Sequence, residues 1–226
     1  MKAGCKSIYP LGLVILGIIF LFGCAGAVSS LSSSSSGAGM TYKRIAVLRF
    51  TQANPADTID KLMPSDIALQ GERDVDSPEK IVETIFLTRL GENRDTEIIP
   101  VEETEGVYRQ LTTKTISPKE IELIGQLGKA LKVDAIVVGY VYRYMERVGT
   151  SYAVEKPASV AFEIHLIDVK AGIRTWRATF DKTQRSLMEN LFNFRFFVKD
   201  RGRWITAREL AEEGIDQVMQ NFPGTR

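Results

Sequence analysis

A mixed α/β fold is predicted, with a sheet of about five strands, three parallel and two joined as an antiparallel hairpin, and helices packed upon it. Three observations carry this. Residues 133–144 open as the apolar run Val133-Asp134-Ala135-Ile136-Val137-Val138 and end by alternating Tyr140, Tyr142 and Tyr144 with other residues. A strand there should begin covered on both faces and emerge toward solvent, with the three tyrosines on one face. Residues 160–168 set Phe162, Ile164 and Leu166 on one side and Glu163 and His165 on the other, the period of two of a half-buried strand. After Lys170-Ala171-Gly172, residues 173–182 return with Trp176, Ala178 and Phe180 opposite Thr175, Arg177 and Thr179, which closes the hairpin.

Length and composition fit one globular domain behind a leader: 226 residues, 44% hydrophobic and 25% charged. Lysine and arginine number 29 against 28 acidic residues, a balance that leaves no electrostatic case for nucleic acid as a partner. At the start, Lys2 and Lys6 precede an apolar run over residues 11–22, too short to span a bilayer comfortably but suited to the core of an export signal over residues 1–23. Leu21-Phe22-Gly23-Cys24 resembles a bacterial lipobox, which implies that Cys24 is the first mature residue and carries diacylglycerol on its sulfur. Ordinary cleavage after Ala25-Gly26-Ala27 and an uncleaved anchor are the alternatives. Ala25, rather than aspartate, follows the cysteine, and by resemblance to enteric sorting this implies the outer membrane, facing the periplasm.

Residues 24–41 then hold the lipidated cysteine and a tether. Its serine- and glycine-rich part, residues 29–39, reads as flexible and would let the globular domain, residues 42–226, reach away from the membrane surface. Of the 2 cysteines, Cys5 leaves with the leader and Cys24 takes the lipid. Disulfides, thiolate catalysis and cysteine-metal sites are thereby excluded from the folded part.

Residues 44–50 form the first strand, central in the sheet. Residues 52–76, with Pro55 and Pro64, have no sustained period and read as a long connection whose role stays open. Ser77 as cap and Pro78 as first helical residue open a helix with Ile81, Val82, Ile85, Phe86 and Leu90 on one face. Residues 96–100 are a short strand, residues 102–111 a helix with a thin apolar face, and Ser117-Pro118-Lys119-Glu120 a capping box for the stripe Ile121, Ile124, Leu127 and Leu131. Thr206 and Glu209 form a second capping box before Ala211, Ile215, Val218 and Phe222, and Pro223-Gly224 ends that helix.

The first strand, then Leu131-Lys132-Val133-Asp134-Ala135-Ile136-Val137-Val138-Gly139, then the turn Asp168-Val169-Lys170-Ala171-Gly172 with Trp176 following, resemble a periplasmic domain shared by bacterial envelope lipoproteins. That group includes the curli secretion protein, activator lipoproteins of penicillin-binding proteins, and the amino-terminal domain of the Tol translocation protein. The resemblance covers residues 43–182 and implies an anticodon-binding-like fold used to dock an envelope protein, with a homo-oligomer among the assemblies it allows.

Chemistry-bearing motifs are sparse. There is no G-x-S-x-G, Walker loop or H-E-x-x-H, no cofactor is implied, and no cluster of Cys and His suits a metal. Gly125-Gln126-Leu127-Gly128 falls inside a helix and reads as helix packing. His165, the only histidine, shares a strand face with Glu163 and reads as a structural residue before a catalytic one. The candidates for recognition are aromatic: Tyr140, Tyr142 and Tyr144, and the stretch holding Phe194, Phe196, Phe197 and Trp204 among Arg195, Lys199, Arg201 and Arg203. Three functional classes follow, with a lipid-anchored docking or assembly module ahead of an envelope hydrolase using carboxylates and a subunit of an oligomeric secretion complex.

Overall fold

The computed structural model describes residues 30–35, 41–53, 77–92, 95–114, 120–184 and 203–223. Its elements in chain order are β1 (Ser30–Ser35), β2 (Arg44–Val47), β3 (Thr51–Gln52), α1 (Pro78–Gly91), β4 (Glu97–Ile99), α2 (Val101–Lys114), α3 (Glu120–Leu131) and β5 (Ala135–Met145). There follow β6 (Val148–Gly149), β7 (Val154–Lys156), β8 (Ser159–Asp168), β9 (Ile173–Thr183) and α4 (Ala207–Met219). One mixed sheet runs β1-β9-β8-β5-β2-β4, with β3 resuming the pairing to β5 beyond β2. β2 is parallel to both β4 and β5, while β5, β8, β9 and β1 are successively antiparallel. The five strands expected are β2, β4, β5, β8 and β9, and the first of them is central.

Each parallel return carries its helices to one face of the sheet. Val82, Phe86 and Leu90 of α1 and Leu210, Ile215 and Val218 of α4 pack on Val47, Val137, Phe162, Ile164 and Trp176. On the other face, Ile124, Leu127 and Leu131 of α3 and Tyr108 of α2 cover Ala46, Leu48, Ile136, Val138 and Tyr140. Burying each of the larger side chains stabilises by about 1.5–3 kcal/mol, so the two layers are the main source of stability. Polar anchors fix the connections between them. Asp134 Oδ2 accepts the backbone N–H groups of Lys43 at 2.9 Å and Arg44 at 3.0 Å, which ties the start of β2 to the entry of β5. Buried Glu83 of α1 accepts the Phe50 N–H at 2.9 Å, where β2 has ended and β3 has not begun, and pairs with Lys80 at 2.7 Å.

Close approaches explain two glycines. A Cβ at Gly139 in β5 would lie 2.5 Å from the Phe50 ring, and one at Gly128 in α3 would overlap the Val169 side chain. Gly128 thus serves helix packing as expected, whereas Gly125 has open space around it.

Several expectations need correction. Ser30–Ser35 is not free tether but an edge strand on β9. Strand pairing uses the backbone, so a serine run whose one apolar residue is Leu31 can take an open sheet edge. β8 is not half-buried, since every residue from Ser159 to Ile167 is buried on both faces. The three tyrosines do not share a face either. Val141 pairs with Phe162 and Arg143 with Ala161, so Tyr142 sits in a bulge, and Tyr144 beyond it packs with the α1/α4 layer while Tyr140 and Tyr142 pack with the other. Ser77 stands at the N-cap with Pro78 after it, but its side chain makes no cap hydrogen bond. The Thr206–Glu209 box, by contrast, forms in both directions. The 54–76 connection, the Ser117 box and residues 185–202 lie outside the described residues.

Candidate functional site

The structure sends the sequence candidates to different places. Cys24, Phe194, Phe196 and Phe197 lie outside the described residues. Tyr140 is core, its ring edge-on to His165 at 5.5 Å and stacked at 6.5 Å on Tyr142, which is half-buried. Tyr144 is half-buried on the opposite face, and burial, with Glu146 nearby, pushes its hydroxyl up to about 12. Trp204 is half-buried, and its backbone N–H donates to the Ser151 carbonyl at 2.8 Å.

Glu163 is the hub of a buried polar cluster on β8 and β9. The strand period places it beside His165, and the register brings Thr179 opposite Glu163 and Arg177 opposite His165. Glu163 is 4% exposed and His165 1%. The carboxylate meets His165 Nε2, lies 2.6 Å from Arg177 Nε, and accepts from Arg177 Nη2 at 2.8 Å, Thr179 at 3.3 Å and Tyr142 at 3.4 Å. Burial pushes the Glu163 carboxyl up, but the hydrogen bonds and charges of His165 and Arg177 outweigh it and hold the group down to about 2. Burial lowers His165 against the pull of Glu163, and its Nδ1 has no hydrogen-bond partner among the described residues. The neutral ring therefore donates from Nε2. This arrangement is an internal clamp between two strands, with both carboxylate oxygens engaged and no open approach to the imidazole.

Among the described residues the other buried carboxylates also face partners. Glu105 of α2 pairs with Arg49 and, at 3.1 Å, with Arg109, and Glu83 holds the Phe50 N–H. Among the described residues no group of three or more His, Cys, Asp or Glu is placed to hold a metal ion, and no helix is long and apolar enough to cross a membrane.

A surface the sequence reading missed lies at the end of β5. Among the described residues, the large apolar side chains left exposed are Met145 (49%), Val148 (46%), Tyr152 (83%) and Ile173 (53%). Three of these four belong to the end of β5 and the β6–β7 hairpin that follows. The hairpin is ordered by Gly149, whose φ of 112° suits glycine alone, and by Thr150, whose N–H donates to the Ala153 carbonyl at 2.8 Å and whose hydroxyl accepts the Ala153 N–H at 3.0 Å. Residues 203–206 lash it to α4. Gln184 bridges the Arg203 carbonyl and the Ile205 N–H, and Glu146 accepts the Ala207 N–H at 3.1 Å. An exposed tyrosine inside the polar turn Gly149-Thr150-Ser151-Tyr152 was the available signal, but the strands are too short to show a period.

No protein-family model matches the chain, and no curated protein matches it. Solved structures with a similar course include a variant of the PelC dodecamer from Paraburkholderia phytofirmans, 14% identical over 85% of this chain and 96% of that one, with a TM-score of 0.48. Lipoprotein GNA1162 from Neisseria meningitidis is 12% identical over 79% of this chain and 98% of that one, at a TM-score of 0.39. The C-terminal domain of LpoB from Escherichia coli is 11% identical over 65% and 87%, also at 0.39. Likeness at this level says nothing of what the chain binds.

Proposed function

We propose that this chain is a lipid-anchored binding and assembly module of the bacterial cell envelope, held at the outer membrane through Cys24 and docking a protein partner in the periplasm. The observation that carries the reading is the internal use of the buried titratable groups among the described residues. Its one histidine and the buried carboxylates Glu83, Glu105 and Glu163 are engaged in joining strands and helices, while the lipobox at Leu21-Phe22-Gly23-Cys24 supplies an anchor. What such a chain offers a neighbour is surface rather than a reacting group. The stretch of Phe194, Phe196, Phe197 and Trp204, rich in aromatics and arginine, is the candidate contact.

Crosslinking in the native envelope, followed by identification of the captured proteins, tests the reading, with Phe196→Ala and Trp204→Ala as variants. Capture should fail in the variants while the melting temperature moves little, because the Trp204 tie to Ser151 is made by its backbone and survives truncation. A loss of about 3–5 kcal/mol of stability would instead mark those residues as core and remove them from the contact. Failure of wild-type protein to capture any envelope protein would overturn the docking role.

A further inference from the structure

The register of β1 fixes where an anchor at Cys24 must lie. Ser30 stands opposite Asp181, which pairs with Ala161, which pairs in turn with Arg143. All four therefore mark one end of the sheet, and two residues beyond Arg143 the chain reaches Met145 and enters the hairpin. Cys24 precedes Ser30 by six positions, and six residues at full stretch reach roughly 20 Å. β5 stands three strand spacings from β1, about 14 Å at ~4.8 Å each. Ile173, at the start of β9, lies in the other direction, roughly 27 Å from Asp181 at ~3.4 Å per residue. Pairing of β1 thus removes the long tether, and a lipid on Cys24 holds this end of the domain close to the bilayer.

The same end presents Met145, Val148 and Tyr152 to solvent. We propose that the β6–β7 hairpin rests on the membrane surface beside the anchor, with Tyr152, Met145 and Val148 entering the lipid interface. The proposal rests on the reading of Cys24 as lipidated. Tyrosine suits that boundary because its ring is apolar and its hydroxyl stays hydrated. Among the described residues at this end, Arg143, Lys182 and Arg203 are already paired with Asp181, Glu213 and Glu209, and on the hairpin Lys156 is offset by Glu155, whereas half-buried Arg147 makes no ion pair and leaves one cation for a headgroup. With a single such charge beside three apolar side chains, added salt should weaken the contact only slightly.

The test uses the full processed protein in vesicles of phosphatidylethanolamine and phosphatidylglycerol, with a nitroxide placed through Tyr152→Cys or Ile173→Cys. Intact mass first reports whether diacylglycerol is present. At position 152 the ratio of collisions with lipid-soluble oxygen to collisions with a water-soluble nickel chelate should exceed that at position 173 several-fold. Equal, water-like ratios at both positions on lipidated protein would overturn the proposal while leaving the anchor in place. Spin–spin broadening at position 152 that disappears on dilution with unlabelled protein would assign the hairpin to a second copy and also overturn it. A mass without diacylglycerol removes the anchor and this proposal together.

Discussion

Glu163 and His165 make stability depend on pH in two separate steps. The imidazole titrates near 6.5 when unfolded and lower when folded, because burial disfavours its charge. The unfolded chain then takes up a proton that the folded chain refuses, so stability is whole above about pH 6.5 and falls as the pH drops below it. Glu163 is held at about 2 against 4.5 in the unfolded chain, so its contribution is whole above pH 4.5 and is lost as the pH falls from there toward 2. Urea midpoints measured across this range should show both declines in the wild type and only the acid one in His165→Gln. Glu163→Gln should cost about 2 kcal/mol at neutral pH by weakening the charge-assisted bonds from Arg177 and His165. The alternation of residues 160–168 revealed that Glu163 and His165 share a face, but not that the face is closed. Polar side chains on a strand imply solvent only when the neighbouring strand does not satisfy them, and Arg177 and Thr179 of β9 do so here.

Among the helices, α3 allows the sharpest tests. Lys132 follows it at a φ of 55°, and the Val133 N–H reaches back to the Gly128 carbonyl at 3.0 Å, which closes the helix with a residue in the left-handed region. A side chain there is strained, so Lys132→Gly should raise stability by up to about 1 kcal/mol in denaturant titration. Two glycines one turn apart should respond with opposite signs. Gly125→Ala, with open space around it, should stabilise by about 1 kcal/mol through helix propensity, whereas Gly128→Ala drives a methyl into Val169 and should cost about 1–3 kcal/mol. The helices, the Thr206–Glu209 cap and the β8–β9 turn were legible because each has a local chemical signature, such as Thr206 three residues before Glu209. β1, the Tyr142 bulge and the β6–β7 hairpin were not. Their formation depends on which backbone edge is open and on where a ladder slips, and a serine run or a three-residue strand carries no side-chain record of either.

At the scale of the molecule, the helices on opposite faces leave the sheet's two ends and its edges to meet the surroundings, and under the proposed lipidation of Cys24 it is β1 that decides how the domain sits relative to the bilayer. The position of β1 between Cys24 and the rest of the chain yields a prediction that separates a paired strand from a free tether. A ten-residue Gly/Ser insert placed between Cys24 and Ser30 lengthens the segment that joins the proposed lipid site to the sheet, adding up to roughly 35 Å of reach. The same insert within residues 36–40 lies beyond β1 and lengthens only the connection from β1 to β2. With β1 paired to β9, the first insert should lower the local concentration of the hairpin at the bilayer and shift the nitroxide at position 152 toward water, and the second should leave it unchanged. If residues 29–39 act as a free tether instead, the two inserts add equal length and should have equal effects.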